Sequence, residues 1–221
     1  MPRYRDAVEE TGRAIAERTP TRPRRTQEER RAHTESALLA AAADLVVEAG
    51  VPALTLARVG ERGGYSRGIV THHFGSKQAL LEALARSAQA GFVAGLEDVP
   101  LGLEHLLRLV AGYVRALTGA GVASRAFLLL WATAPTSPEL APIFTERDER
   151  FRADLRTDVE RGVADGTVRP DVDPHAVSVA VLGQLRGISM QHQLAPETVD
   201  TERVAALVAD TWRRSLQAGA G

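Results

Sequence analysis

The sequence predicts an all-α protein with a three-helix helix-turn-helix module in front of a larger helical body. Three observations carry that expectation. From Gln27 onward, apolar residues recur at spacings of three and four, the period of a helix with one buried face. Cap and stop residues stand at the ends of these runs: Thr55, Ser66 and Ser76 at starts, Gly50 and Gly166 at ends. No stretch shows the period-two alternation of a strand, and no internal repeat is present.

Taken in order, residues 1–26 form a polar, arginine-rich leader. Thr19-Pro20-Thr21-Arg22-Pro23-Arg24-Arg25-Thr26 cannot hold a stable helix, because two prolines remove amide donors and restrict their neighbours. The expectation is a flexible arm whose arginines could reach DNA phosphates or the minor groove. Ala37, Leu38, Ala41, Leu45 and Val46 then give the first helix, stopped by Gly50. A second helix starts after Thr55 and presents Leu56 and Val59 inward until Gly63-Gly64 break it. Ser66 caps a third, with Ile69 or Val70, and Phe74, turned inward. Ser76 caps a fourth, running through Leu80, Leu81 and Leu84 toward Phe92.

Behind Pro100 the pattern stays helical. Leu103, Leu106, Leu107, Val110, Val114 and Leu117 share one face, and residues 122–134 are nearly all apolar, as in a helix buried on most sides. Pro135, Pro138 and Pro142 precede a long amphipathic helix with Phe144, Phe151, Leu155 and Val159 inward. Gly166 and Pro170 end it, Asp173-Pro174 open the next, and residues 174–193 and 201–217 make two final helices. These readings divide the chain into an arm (1–26), a helix-turn-helix module (27–75) and a larger all-helical body (76–221).

Composition limits the function classes. The 221 residues are 44% hydrophobic, enough for a real core, and carry a net charge of −1. That charge is unevenly spread: residues 18–81 hold ten cations against six anions, and residues 82–221 hold fourteen against eighteen. A basic front and an acidic back suit a polyanion-binding head on a body held off that polyanion. The chain has no cysteine, which excludes disulfides and thiolate metal sites. Charges interrupt residues 3–31 every few positions, so no signal-peptide core stands there, and no run approaches a membrane span. A cytoplasmic protein without membrane contact is the expectation.

The chemistry concentrates in residues 54–81. Of 27 cationic residues only Lys77 is a lysine. At a helix start, a compact ammonium fits a phosphate contact, since lysine binds as a point charge and arginine as a planar fork. In a helix-turn-helix the second helix lies in the major groove with its first residues on base edges. Here Arg67, Gly68, Thr71 and His72 can share its outer face. Arg67 can fork onto guanine O6 and N7, Gly68 permits close backbone approach, and Thr71 offers a hydroxyl to phosphate or a methyl to thymine. Thr55, Ser66 and Ser76, with neighbouring amides, can bind phosphates at helix starts, and His73 stands beside them. A metal at His72-His73 is not expected, because adjacent helical residues point about 100° apart and no third ligand is near. The glycines of residues 60–64 match no nucleotide-binding loop. No cofactor is implied.

This segment resembles the DNA-binding module of TetR-type bacterial transcriptional regulators. The carriers are Leu54-Thr55, Val59, Glu61-Arg62, Gly64, Ser66-Arg67-Gly68, His72-His73-Phe74 and Ser76-Lys77-Gln78-Ala79-Leu80-Leu81, within a match over residues 34–84. The resemblance implies a front module that binds double-stranded operator DNA as a dimer and a variable back domain whose small-molecule ligand releases it. Two positions depart from the family pattern. Thr71 stands where a phosphate-contacting tyrosine is usual, which leaves part of that contact to His72 or His73, and Tyr65 stands where a small aliphatic is usual.

In the body, Val177, Val181, Leu185 and Ile188 form an apolar line beside the small residues Ala176, Ala180, Gly183 and Gly187. With Val204, Leu207, Val208, Thr211 and Trp212 they suit a two-fold four-helix bundle, so a homodimer through the last two helices is expected. Candidate liners of an effector pocket are Phe92, Leu107, Val110, Tyr113, Phe127, Trp131, Phe144, Phe151 and Met190, with Arg125, Gln184, His105 and His192 as polar handles. No paired carboxylates, nucleophile elbow or metal-ligand helix marks an enzyme. The expectation is a dimeric ligand-responsive repressor; the alternative is a ligand-binding or partner-docking helical protein that no longer binds DNA.

Overall fold

A computed structural model describes residues 26–87, 93, 95–119 and 121–219. The expected arginine-rich arm before Thr26 and the pocket candidate Phe92 lie outside the described residues. Nine α-helices occur among them: α1 Gln27–Ala49, α2 Leu56–Gly63, α3 Arg67–Phe74, α4 Lys77–Ser87, α5 Leu103–Ala116, α6 Val122–Thr133, α7 Ala141–Ala164, α8 Pro174–Leu194 and α9 Thr201–Leu216. Extended pairing among the described residues is limited to one antiparallel bridge, Val168 to Gln217. The all-α expectation holds.

The described residues divide into two compact units, 26–34 and the described part of 35–219. In the first, Thr26 and Glu29 make a reciprocal capping box. The Thr26 amide donates to Glu29 Oε2 (2.7 Å) and the Glu29 amide to Thr26 Oγ1 (3.1 Å), satisfying two donors at the helix start.

In the second unit the expected caps are present. Thr55 Oγ1 accepts from the Arg58 amide (3.2 Å), Ser66 Oγ from Ile69 (3.4 Å) and Ser76 Oγ from Ala79 (3.1 Å). Gly64 ends α2 at φ 75°, a left-handed conformation that favours glycine. Gly60 is required for a different reason. A Cβ there would lie 2.7 Å from the Tyr65 carbonyl oxygen and 3.1 Å from Val70, so only glycine lets the turn fold back onto α2. That close approach fixes the direction in which α3 leaves the turn. The choice left open between Ile69 and Val70 is settled: Val70 is fully buried and Ile69 is 40% exposed.

Two hydrophobic clusters fill the interior. The first joins Leu38, Leu45 and Val46 of α1 to Val59, Val70 and the α4 residues Leu80, Leu81 and Leu84. It continues without a break into Ala126, Phe127 and Leu130 of α6 and Ile143 and Phe144 at the start of α7. The second cluster unites α5, the later part of α7, α8 and α9 through Leu106, Val110, Leu155, Val159, Val181, Leu185 and Val208. Across it, Asp158 is almost fully buried and accepts from His105 Nδ1 at 2.7 Å and from the Gly102 amide at 3.1 Å. The pair ties the start of α5 to α7.

One expectation about the last two helices needs correcting. Val177, Val181, Leu185 and Val208 are buried within the chain's own second cluster, and Ile188, Val204 and Trp212 pack against it. The outward faces carry instead Ala176, Val179, Ala180, Gly183 and Gly187 of α8 and Leu207 of α9. Sequence periodicity locates an apolar line but does not say which partner covers it.

Gly60→Ala is expected to cost about 2 kcal/mol through overpacking against backbone, whereas Gly68→Ala, whose new methyl meets nothing closer than 3.7 Å, should be neutral or slightly stabilising. Asp158→Ala, which strips the acceptor from a buried pair, should cost about 3 kcal/mol. Urea unfolding of each variant measures all three.

Candidate nucleic-acid interface

The turn between α2 and α3 presents one continuous polar face. Arg67, Gly68, Thr71 and His72 are all exposed on α3, as the outer-face assignment requires, because Val70 is held in the core on the opposite side. Thr55, Ser66 and Ser76 are also exposed. Each hydroxyl oxygen accepts an amide as a cap, which leaves the hydroxyl proton free to donate to a phosphate. Thr71 is engaged differently. Its Oγ1 donates to the Arg67 carbonyl at 3.0 Å, so its oxygen is left as an acceptor and its proton is taken up by the helix. His73 is half-buried with its Nδ1 lacking a hydrogen-bond partner among the described residues. It packs edge-on to His72, with ring centroids 6.0 Å apart, and so belongs more to the wall of the module than to its face.

Lys77 stands at the start of α4, where the sequence places it, but its ammonium is paired. Nζ lies 2.9 Å from Glu139 Oε2, and the neighbouring Gln78 Nε2 donates to the Glu139 carbonyl at 3.0 Å. One residue just before α7 thus holds both residues that open α4. Nothing in the sequence signals this contact across 62 positions, and it was not anticipated. Ile69 was assigned inward as an alternative and instead adds an apolar side chain to the exposed face. Arg62 forks onto Glu48, with one N···O distance of 2.7 Å, and tethers α2 to α1. The same pairing holds the Glu48 carboxyl below its usual range and the Arg62 guanidinium above.

The body's candidate residues separate between the two clusters. Phe127 and Phe144 meet edge to face with centroids 5.3 Å apart in the first, and Trp131 and Met190 pack against that cluster. Leu107, Val110 and Tyr113 are buried in the second, with Phe151 stacked on Tyr113 at 6.5 Å. Of the polar handles, His105 is committed to Asp158, and Gln184 Oε1 accepts from Trp212 Nε1 at 2.7 Å. The Arg125 carbonyl accepts from Gln193 at 3.4 Å. His192 keeps a buried Nδ1 with no partner among the described residues.

Sequence reasoning missed the charged centre of this region. Arg186 is 2% exposed and lies between the clusters. Its Nη1 donates to Tyr113 Oη at 2.8 Å and its Nη2 reaches Asp148 Oδ1 at 3.4 Å. Its guanidinium carbon stands 4.8 Å from the Phe127 ring centroid and 5.9 Å from that of Trp131, within cation–π range. Arg147 also reaches Phe127, at 5.5 Å, and its basicity is lowered by burial and then by the Arg186 charge. A signal existed: Arg186 falls in register with Leu182 and Ser189 on the buried face of α8, where an arginine is out of place.

No group of three metal-ligating side chains occurs among the described residues, and no single helix among them is long and apolar enough to cross a membrane.

Comparison with known proteins agrees with this architecture at both ends. Residues 38–84 match the model for bacterial regulatory proteins of the tetR family, and residues 102–217 match that for the C-terminal domain of BetI-type transcriptional repressors. Over 173 residues the chain is 25% identical to the HTH-type transcriptional regulator BetI 2 of Chromohalobacter salexigens, covering 74% of this chain and 79% of the relative. NalD of Pseudomonas aeruginosa, the secondary repressor of the MexAB-OprM multidrug efflux pump, superposes with a TM-score of 0.70 at 21% identity, over 84% of this chain and 97% of NalD. AibR, solved with isovaleryl coenzyme A and operator DNA, gives 0.65 at 21% identity, over 80% and 97%. At such identity the two structures establish a shared fold.

Proposed function

Since the chain belongs to the TetR family of bacterial transcriptional regulators, we propose that it is a dimeric repressor that holds operator DNA through α3 and leaves it when a small molecule occupies the helical body. The observation that carries this reading is the outward set Arg67, Gly68, Thr71 and His72 on a helix whose Val70 is locked in the core. The head of residues 27–75 is the DNA-binding part, residues 76–221 the effector and dimer part, and the arm of residues 1–26 an accessory. That NalD is a repressor, and that AibR takes both operator DNA and isovaleryl coenzyme A, supports a regulator that binds DNA and a small molecule.

On DNA, α3 lies in the major groove, where Arg67 forks onto guanine and Ile69 meets a thymine methyl. Ser76 and the α4 amides take a phosphate with Lys77, which first has to leave Glu139. The dimer forms through the exposed Ala176, Val179, Ala180, Gly183 and Gly187 of α8 with Leu207 of α9. A Cβ at Gly183 or Gly187 would meet nothing within 4 Å, so a second helix can come close there. Two α3 helices would then reach half-sites roughly 34–36 Å apart or a little more.

Footprinting on DNA upstream of the gene should show a protected palindrome at moderate salt; no protection, with the protein folded and dimeric, would sink the reading. Arg67→Ala should relax base preference, and Lys77→Ala should weaken every sequence alike. Identical specificity profiles for the two would mean the roles are misassigned. Glu139→Ala frees Lys77 and removes a like charge from the phosphate. Electrophoretic shifts should show binding about threefold tighter on all sequences, as befits an exposed ion pair. Gly183→Gln with Leu207→Glu should weaken dimerisation about a hundredfold in sedimentation equilibrium, with cooperative operator binding lost in step.

A further inference from the structure

The centre of the body holds a cation with too little to balance it. Arg186 is the one cationic side chain among the buried described residues. Of its five N–H donors, one reaches the Tyr113 hydroxyl and one reaches Asp148 at 3.4 Å, beyond the usual range for a charge-assisted bond. Its Nε is buried without a hydrogen-bond partner among the described residues. Asp148 is shared, since its other oxygen accepts from Trp131 Nε1 at 2.8 Å. A second guanidinium, that of Arg147, approaches the same Phe127 ring from 5.5 Å, and each raises the electrostatic cost of the other.

A groove of about 270 Å³ adjoins this cluster. Trp131, Ala134, Pro135 and Phe144 give it apolar walls, and Asp148 and Arg152 also line it. Trp131 and Asp148 are common to the groove and to the Arg186 cluster, so a molecule in the groove is one side chain away from the buried guanidinium. The aromatic faces of Phe127 and Trp131, which would otherwise receive a cationic guest, are already occupied by the protein's own Arg186.

We infer that the effector is a small organic anion, a carboxylate on a compact apolar body, which lies against Trp131 and Phe144 and pairs with Arg186 in place of Asp148. This rests on the reading of the chain as a ligand-released repressor and specifies the ligand class. A carboxylate can take two parallel N–H bonds from a guanidinium, where Asp148 now takes one long one. The incoming charge also relieves the repulsion between Arg186 and Arg147. Asp148, displaced, keeps its Trp131 bond and turns to the groove, which Arg152, itself paired with Glu149, also lines.

Titration calorimetry on the full-length dimer, with hexanoate, hexanol and hexylamine as size-matched probes, tests the class. Saturable binding of hexanoate, with the alcohol at least tenfold weaker and the amine undetected, is the expected result. Arg186→Met should abolish hexanoate binding. Asp148→Asn, which removes the internal competitor and keeps the Trp131 acceptor oxygen, should tighten it about tenfold, and this variant decides the matter should Arg186→Met fail to fold. Tighter binding of the amine or the alcohol, no carboxylate binding at millimolar concentration, or unchanged affinity in Asp148→Asn would overturn the inference. Operator release is read separately by electrophoretic shift. Hexanoate that binds through Arg186 without releasing DNA leaves the site standing and refutes the ligand-released reading. Release by a cation alone keeps that reading and refutes the anion.

Discussion

The continuity of one hydrophobic core constrains everything else in this molecule. Leu80, Leu81 and Leu84 of α4 are buried in a cluster that reaches back to α1, α2 and α3 and forward to Phe127, Leu130, Ile143 and Phe144. The head therefore has no interior of its own. Its packing is completed by α6, which also carries the Phe127 and Trp131 rings beside Arg186, and by the first turn of α7. Protein interiors are packed at crystal-like density and transmit displacement with little loss. A change in how Phe127 and Phe144 meet is accordingly a change in what α4 rests on, and α4 begins at Lys77, three residues after α3 ends.

Charges refine what the core sets up. Near α4 they are exposed and weakly coupled: Lys77 and Glu139 are each more than a third accessible, so solvent screens their attraction. At Arg186 the same kind of pair is buried, and its consequence is larger because desolvation is not offset by a well-formed partner. The chain thus has a soft electrostatic contact at the start of α4 and a hard, unbalanced one at the centre of the body. The His105–Asp158 pair in the second cluster, with a 2.7 Å bond and an amide donor to the other oxygen, shows what a satisfied buried carboxylate looks like in this fold.

The fold was legible because helices announce themselves by period and cap. Thr55, Ser66, Ser76 and Asp173 all accept the amide bonds expected of them, and the predicted helix starts lie within a residue or two of the observed ones. The outer face of α3 was legible for the same reason, since fixing Val70 inward fixes Arg67, Gly68, Thr71 and His72 outward. What was not legible depends on contacts distant in sequence. The line Val177, Val181 and Leu185 has the same pattern whether a neighbouring helix or a second chain covers it. Lys77 reads as a free ammonium until Glu139 is seen beside it. Arg186 was overlooked because a charged residue is normally assigned to the surface, and only α5, α6 and α7 closing around it make it interior.

Magnitudes decide which of these features can act as the switch. An exposed ion pair contributes at most about 1 kcal/mol, whereas a hundredfold loss of operator affinity requires about 2.7 kcal/mol. The Lys77–Glu139 contact is therefore too weak to set a hundredfold change alone. Rearranging large side chains in a packed core is worth about 1–3 kcal/mol, which is the required scale, and the core in question runs from the Arg186 rings to the base of α4 without interruption. A ligand shifts a two-state equilibrium only by the difference in its affinity for the two states. For a ligand pairing with Arg186, that difference would come from the Trp131 and Phe144 packing available to it in one state and not in the other. The ion pair at Lys77 would then report the change at the DNA surface and not cause it.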